Sequence, residues 1–458
     1  MPTAVQIDAW PGTKAARGAL AEDAKNWGAR RGLPPSREPL AFGEPVDPVR
    51  WEHAEIGYGV LLPDDDAVSP QDKAAGQDAP DPVGRLLRAR PGTVLLRWSP
   101  KLKDLRLRRY YPDGSHQDPL IGLTKFGTAP GNWLPRYVLI AAPPDQIPWS
   151  VQYALAPAHA VGRLPFTGDA LGPYIDAMLA GWPNASVDAA APLLWTVDHG
   201  PRDITRLMRA ALTEPLDAAM TGTLSGLRHL RGAEATVTNL LTECSRATPP
   251  ALVVTSSHGS TPVGDQDALR TTLGLPVDVA HATTPLEDLV AAFPAGSVWF
   301  AQACCSAGGA GDSTYEGLLK PKTLAHTVVS EVAALGPTVA PGALRLLGRP
   351  NPVRAVLGHV EPTFSWTLRA DGTGQLLGGT LVTALTSNLH HGQPVGYAFD
   401  HYRRGVGQLY SQWAGDRVRL EKGDASVLET LTRVRLTAVD RQSLVLLGDP
   451  TVTLTDLA

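Results

Sequence analysis

Two stretches decide the fold: Val298-Trp299-Phe300-Ala301-Gln302-Ala303-Cys304-Cys305 and, upstream, Leu252-Val253-Val254-Thr255-Ser256-Ser257-His258-Gly259. Each is a short apolar run that ends abruptly in a reactive side chain. A strand of a parallel sheet is buried on both faces and is therefore apolar throughout. Ligands and substrates meet such sheets at the carboxyl ends of the strands. We therefore expect two strands of one sheet to deliver a base, His258, and a thiol, Cys304, to the same crevice.

The pattern of the rest of the chain predicts an α/β fold. Further buried-strand candidates are Arg136–Ala141, Leu193–Val197, Val353–Leu357 and Leu444–Leu447. Helical stretches such as Ile204–Leu212 and Leu324–Leu335 separate them. Strands that alternate with helices predict a mostly parallel sheet with helices on both faces.

The N-terminal part of the chain has a different character. Gly57–Leu62, Thr93–Trp98 and Leu105–Tyr110 resemble strands, and the stretch from Pro63 to Pro82 is polar enough to predict an exposed loop. Residues 1–50 are expected to form a wrapping arm. We therefore predict three parts: a smaller β-rich N-terminal domain or regulatory region over 1–130, an α/β subdomain over 131–190, and a catalytic domain over 191–458.

The composition excludes several function classes. The chain has 458 residues, 43% of them hydrophobic, with a formal net charge of −4, so nothing global points to nucleic acid or to an anionic membrane. The basic run Lys101–Tyr111 is expected to be the solvated face of a strand. No signal peptide or long apolar span is recognisable, which predicts an intracellular, cytoplasmic protein. Three cysteines, two of them adjacent, predict free thiols, and no metal-ligand spacing occurs.

The two reactive strand ends suit nucleophilic catalysis. A thiol attacks a carbonyl as the thiolate, so it needs a base or imidazolium nearby and donors for the oxyanion. His258 is the candidate base, Cys304 the candidate nucleophile, and the N–H groups of Gly259 and Cys304 the candidate oxyanion donors. The small residues of Ser306–Gly311 predict an open cleft without a strand. No cofactor is expected.

Both assignments have a competitor. His199-Gly200 also follows a strand candidate, but it lies 105 residues before Cys304, whereas His258 lies 46 before it; a caspase His and Cys are separated by about 50. Cys305 is the alternative nucleophile. If the strand continues through the pair, alternation directs the two thiols to opposite faces, which favours Cys304 as the one in the crevice.

Ser257-His258-Gly259 together with Gln302-Ala303-Cys304 resembles the caspase-type cysteine peptidases, a superfamily that includes gingipain-like, metacaspase, legumain, separase and bacterial CHAT proteins. Similarity to the gingipain-like and CHAT branch extends over residues 136–458, through Tyr137–Ile140, Val161–Pro165 and Leu446–Pro450. The chain departs from the caspase pattern, which has glycine two residues after the nucleophile. Several relatives place it three residues after, a spacing that would select Cys305.

The resemblance implies a cysteine endopeptidase that hydrolyses protein substrates through a Cys–His dyad. It also implies activation by a regulatory protein or by cleavage, and a role in bacterial defence. The family builds its pocket for the residue before the scissile bond from segments that correspond here to 198–203 and 312–315. Asp198, Asp203 and Asp312 would there favour a basic residue, although Asp203 is equally placed to cap a helix.

Two other function classes remain open at this point. One is a catalytically silent caspase-fold protein that binds or regulates a partner through residues 1–130. The other is a thiol-dependent amidase or acyltransferase. An intact His258 and Cys304 favour the peptidase.

Overall fold

The computed structural model describes residues 1–2, 4–30, 46–102, 105–122, 124–131, 133–370 and 373–454. The strands in these ranges are β1 Val5–Gln6, β2 Ala9–Trp10, β3 Arg17–Gly18, β4 Tyr58–Pro63, β5 Val94–Trp98, β6 Arg109–Tyr110, β7 His116–Gln117, β8 Lys125–Phe126, β9 Trp133–Leu134, β10 Tyr137–Ala141, β11 Ala160–Leu164, β12 Leu193–Thr196, β13 Arg228–Arg231, β14 Leu252–Ser256, β15 His258–Ser260, β16 Pro276–Val277, β17 Val298–Gln302, β18 Gly308–Gly309, β19 Thr338–Val339, β20 Ala355–His359 and β21 Leu444–Gly448.

The α-helices in the same ranges are α1 Ala24–Ala29, α2 Pro70–Ala75, α3 Asp81–Ala89, α4 Trp149–Leu155, α5 Gly172–Leu179, α6 Ile204–Met208, α7 Glu214–Met220, α8 Val237–Cys244, α9 Gln266–Thr272, α10 Leu286–Ala292, α11 Leu324–Ala334, α12 Pro341–Gly348, α13 Gly379–Thr383, α14 Val395–Ala398, α15 Asp400–Glu421 and α16 Leu428–Gln442. Five residues of π-helix, Arg209–Thr213, join α6 to α7. None of the described helices is both long and apolar enough to cross a membrane.

A large, mostly parallel sheet organises the chain. Within the described residues it has ten strands in the order β13-β12-β14-β17-β20-β21-β11-β10-β4-β5. Neighbouring strands are parallel throughout, except that β20 and β21 are antiparallel. The sheet is therefore two parallel halves that run in opposite directions and meet at β20 and β21. The predicted α/β class and the mostly parallel sheet are confirmed.

The sheet is covered on both faces. Every residue of β10, β11, β12, β14, β17, β20 and β21 is buried. Such strands must be apolar at consecutive positions, because side chains alternate between two faces that are both dry. The apolar runs of the sequence therefore identified the central strands correctly.

Strands from the N-terminal part of the chain belong to the same sheet. β4 pairs in parallel with β10 and with β5, so the predicted strands near residues 57–62 and 93–98 extend the central sheet. The sheet spans all three predicted parts of the chain, and the boundaries at 130 and 190 stay predictions. Of the third strand predicted there, Leu105–Tyr110, only Arg109–Tyr110 lies in a strand.

The prediction of an exposed loop from Pro63 to Pro82 is wrong in part. Ser69 caps α2 by accepting a hydrogen bond from the backbone N–H of Asp72. The Lys73 ammonium lies 2.7 Å from the Asp64 carboxylate, and both side chains are almost fully buried. Paired charges let a polar sequence be buried, which composition alone does not reveal.

The basic run that begins at Lys101 is held by local partners. Lys103 and Asp104 lie outside the described residues. Arg108 makes two hydrogen bonds of 2.7 and 2.8 Å to the Asp118 carboxylate, and Arg109 donates to the carbonyls of Thr128 and Ala129. These guanidinium groups bind the neighbouring loops that contain Asp118, Thr128 and Ala129.

Asp449, directly after β21, ties distant parts of the sheet together. Its side chain is fully buried and accepts hydrogen bonds from the Tyr58 hydroxyl of β4 and from Thr451. The Arg90 guanidinium lies 3.5 Å from the same carboxylate. The backbone N–H of Asp449 donates to the Tyr174 hydroxyl. One carboxylate therefore joins the N-terminal strands to the C-terminal one.

Asp449→Ala is expected to lower the free energy of unfolding by about 3 kcal/mol, because it removes the carboxylate that faces the half-buried Arg90 and the buried Tyr58 hydroxyl. The measurement is urea denaturation followed by tryptophan fluorescence. The control is Asp176→Ala, which removes an exposed ion pair with Arg85 and should change the free energy by less than about 1 kcal/mol. Equal effects of the two substitutions would contradict the anchoring role of Asp449.

Candidate active site

The two decisive strands meet as the sequence predicts. β14 and β17 are parallel neighbours, with Ser256 opposite Gln302 at their carboxyl ends. His258 begins the short strand β15 directly after β14, and the two cysteines directly follow β17. A Cβ atom added to Gly259 would lie 2.0 Å from the carbonyl oxygen of Cys304. Only glycine allows this backbone contact.

The two thiols point toward each other. Their sulfur atoms are 3.3 Å apart, so the expectation that alternation sends them to opposite faces is wrong. β17 ends at Gln302, before the pair, and Cys305 has a positive φ of 55°. That left-handed conformation is strained for a residue with a Cβ atom and is often found at functional sites. The turn, and not the strand, sets the orientation of the thiols.

His258 has an acidic partner, Asp203. Its Nε2 lies 3.0 Å from Oδ1 of Asp203, an ion-pair distance, although the ring N–H is not aligned for a straight hydrogen bond. The same oxygen accepts hydrogen bonds from the backbone N–H and the hydroxyl of Thr205. Burial acts to raise the pKa of Asp203, but the contacts with His258 and Thr205 outweigh it and hold that pKa well below its usual range. Asp203 is therefore a carboxylate that can orient His258.

Asp203 also caps α6, so the helix-capping alternative is confirmed. These contacts do not match the predicted role of Asp203 in a pocket that binds a basic substrate residue. Its charge already faces an imidazole and the amino end of a helix.

Three imidazoles and an indole cluster around this pair. The rings of His199 and His258 are stacked with centroids 5.4 Å apart, and His281 lies 4.0 Å from His199. Burial and the two neighbouring histidines lower the pKa of His199 to about 4. His199, which spacing ranked below His258, is thus part of the same site. No three potential ligand side chains converge to hold a metal ion anywhere in the described ranges.

The thiols and the imidazole are not hydrogen-bonded to each other. Within the part of the chain that the structure describes, neither ring nitrogen of His258 has a hydrogen-bond partner. Side chains alternate along a strand, and a Cβ atom on Gly259 would point at the backbone of Cys304. The Cα–Cβ bond of His258 is therefore directed away from the Cys304 backbone.

The site is closed. His258, Cys304 and Cys305 are each 0% exposed. Burial and a hydrogen bond to Cys305 raise the pKa of the Cys304 thiol well above its usual value. In this conformation Cys304 is a neutral thiol.

In the described conformation the candidate catalytic side chains do not line an open cleft. Gly308 and Gly309 form β18, which pairs with Thr338 and Val339 of β19. The prediction that Ser306–Gly311 would not form a strand is therefore wrong. Glycine lacks a side chain that would collide at this close contact: a Cβ on Gly308 would lie 2.1 Å from the Thr338 carbonyl oxygen.

The two predicted oxyanion donors differ in whether their N–H group already has a hydrogen-bond acceptor. The N–H of Gly259 donates to the backbone carbonyl of Asp8 at 3.0 Å. The N–H of Cys304 has no acceptor among the described residues. A peptide carbonyl of the chain itself therefore occupies one of the two positions.

The other two acidic residues lie apart from the thiols. Asp198 forms a 2.7 Å ion pair with Arg209 and accepts a hydrogen bond from the N–H of Gly200. Asp312 lines a cavity of about 350 Å³ between the 311–319 segment and α11, in which neither Asp198 nor Asp203 takes part. The three residues do not form one pocket.

Three buried acidic residues carried no recognisable signal in the sequence. Asp8, Glu361 and Asp440 are at most 6% exposed. Burial raises the pKa of Glu361 to about 7 and that of Asp440 to about 6. They come from three distant segments, so only the folded chain brings them together.

Comparison of the chain with known proteins found no matching family model, no matching curated protein and no matching solved structure. The geometry of the site must therefore carry the argument for function.

Gly259→Ala is expected to lower the free energy of unfolding by about 3 kcal/mol, because the new methyl group would overlap the Cys304 carbonyl and push β15 from β17. Urea denaturation measures the change. The control is Gly415→Ala in α15, where no atom lies within 4 Å of the added carbon and alanine should be neutral or stabilising. An unchanged free energy for Gly259→Ala would contradict the close contact.

Glu361 is expected to make stability depend on pH. In the unfolded chain this carboxyl loses its proton near pH 4, whereas the folded chain keeps it until about pH 7. Its stabilising contribution is complete below about pH 4 and is lost as the pH rises to 7. Glu361→Gln should therefore be more stable than wild type at pH 8, by on the order of 3 kcal/mol, and the advantage should vanish at pH 4.

Urea denaturation at a series of pH values measures this difference, with exposed Glu316→Gln as the control. The other buried carboxyl groups titrate alike in wild type and variant, so they cancel in the comparison. A pH-independent difference for Glu361→Gln would show that Glu361 is not held in its protonated form.

Proposed function

We propose that this protein is a cysteine endopeptidase that hydrolyses peptide bonds of protein substrates. One observation carries the proposal. His258-Gly259 and the turn that contains Cys304 and Cys305, here called the cysteine turn, lie at the carboxyl ends of adjacent parallel strands, and the backbone of Gly259 lies directly against that of Cys304. The resemblance of both elements to caspase-type peptidases supports the same reaction class.

In the proposed reaction the Cys304 thiolate attacks the substrate carbonyl carbon and forms a tetrahedral oxyanion. The N–H groups of Gly259 and Cys304 stabilise that charge. The C–N bond then breaks, and the His258 imidazolium gives its proton to the leaving amine. Water hydrolyses the thioester that remains, which releases the acid and regenerates the thiol. No cofactor takes part in these steps.

Asp203 has a positioning role in this scheme. A carboxylate beside an imidazole fixes the orientation of the ring and stabilises its protonated form, as the aspartate does in serine proteases. The ion-pair distance of 3.0 Å and the lowered pKa of Asp203 both support this role. The site is then a triad of Cys304, His258 and Asp203, one residue more than the dyad that the sequence suggests.

The described conformation corresponds to a latent form. Attack requires a thiolate in contact with the imidazole, whereas here Cys304 is a buried neutral thiol and His258 makes no hydrogen bond to it. In the proposed reaction β15 therefore moves relative to the cysteine turn. The proposal thus includes regulation by a conformational change.

Cys305 remains the alternative nucleophile. Its left-handed backbone conformation, with φ of 55°, is the kind of strain that active sites use to present a side chain. Cys304 is favoured by its N–H, which has no acceptor among the described residues, and by its contact with Gly259.

A catalytically silent binding protein is the second candidate function. Two observations favour it: the ring nitrogens of His258 have no hydrogen-bond partner among the described residues, and both thiols are completely buried. Such a protein would keep the fold and act through a partner.

A peptide-library cleavage assay decides between these functions. Cys304→Ala and His258→Ala should each lower kcat/KM by at least about 10³-fold, and Asp203→Asn by about 10²-fold, because each removes a group that acts in the transition state. Cys244→Ala and His326→Ala are the matched controls and should retain full activity.

Three results would contradict parts of the proposal. Full activity in Cys304→Ala with none in Cys305→Ala would exchange the two nucleophiles. Activity that survives His258→Ala would exclude this histidine as the acid. No cleavage of any library peptide by wild type would favour the silent binding protein.

A further inference from the structure

Residues 5–18, here called the covering segment, lie across the candidate site. Ala9 and Trp10 form β2, which pairs in parallel with Gly259 and Ser260 of β15. The carbonyl of Asp8 accepts the Gly259 N–H at 3.0 Å, and that of Trp10 accepts the Thr261 N–H at 2.9 Å. The covering segment therefore occupies a whole edge of β15 through backbone hydrogen bonds.

Trp10 fills the space among the three histidines. Its ring centroid lies 4.2 Å from that of His281, 5.9 Å from that of His258 and 6.1 Å from that of His199. Its side chain is 8% exposed. An aromatic side chain is thus seated against the imidazole that the proposed reaction needs.

The covering segment contacts β15 in the way in which a bound peptide contacts a sheet edge. A strand bound by main-chain hydrogen bonds is the usual way in which an extended peptide adds to a sheet edge, with side-chain pockets giving specificity. The Asp8 carboxyl is completely buried; its Oδ1 accepts the Thr363 N–H at 2.7 Å, whereas its Oδ2 has no hydrogen-bond partner in the described part of the chain. An unpaired buried oxygen opposes the docking of the segment.

We propose that the edge of β15 is a peptide-binding edge and that the covering segment is its internal occupant, which an extended peptide with an aromatic residue at the Trp10 position displaces. This inference rests on the proposed function in one respect: the displacing peptide is the substrate. Release of β2 would free the Gly259 N–H and uncouple β15 from the segment that holds it. Release of β2 would then both expose the thiols and allow the Cys–His contact to form.

Thiol labelling with iodoacetamide, located by mass spectrometry, tests this directly. In Trp10→Ala, Cys304 and Cys305 should react at least about 10-fold faster than in wild type, because the segment loses its ring contacts with the three histidines. Cys244, buried in α8, is the internal reference and should keep its rate. Trp133→Ala, a tryptophan substitution outside the segment, should change neither.

A second variant loosens the covering segment without altering its buried part. Arg17 is exposed and donates to the carbonyl of Arg202 at 2.8 Å, so Arg17→Ala should also speed labelling of Cys304 and Cys305, by a smaller factor. It carries the test if Trp10→Ala does not fold. A synthetic peptide with the sequence of residues 5–12 should slow the labelling of either variant, and the same peptide with alanine at the tryptophan position should not.

The outcomes separate this inference from the proposed function. Labelling at the wild-type rate in both folded variants, or no protection by the peptide, would overturn the covering role. Faster labelling with no cleavage of any library peptide would overturn the peptidase and leave the covering role in place. Faster labelling together with faster cleavage supports both.

Discussion

The parallel ladder between β14 and β17 is the constraint on which the candidate site depends. Five in-register pairs, from Leu252 opposite Val298 to Ser256 opposite Gln302, hold the two strands together. A slip by one residue would send every side chain to the other face. Both faces of the sheet are buried here, so a change of register would also require the side chains on both faces to repack. The fixed register makes both strands end at the same level, and this is why Gly259 meets the cysteine turn.

The sequence was sufficient for features that depend on local pattern and insufficient for those that depend on distant contacts. Apolar runs located the central strands and their reactive ends, because burial on both faces leaves a continuous signal. The orientation of the thiols could not be predicted, since it depends on where β17 ends and on the backbone of Cys305. β2 was missed for another reason: two residues have no periodicity, and their partner Gly259 is 250 positions away. Asp203 was selected for its charge, but only the fold showed that the charge faces His258.

The electrostatic surroundings of the thiols oppose the chemistry proposed for them. Asp8 and Glu361 are acidic groups close enough to Cys304 to raise its pKa, in addition to the effect of burial. The resting state thus protects a reactive side chain by keeping it protonated and dry. An opened site would reverse both effects, because water would screen the acidic groups and hydrate the thiolate. Burial and the two acidic neighbours would therefore add to the covering role proposed for residues 5–18.

The position of β21 has a consequence for how the protein is made. This strand lies in the middle of the sheet, between β20 and β11, and its partner in β11 lies 284 residues earlier, with Arg163 opposite Leu447. During synthesis β11 and β20 must therefore wait with open edges until β21 leaves the ribosome. Open strand edges are templates for aggregation, and such long-range pairing is slow. The two half-sheets can join only after β21 has been made, so pairing across the middle of the sheet is a late step in folding.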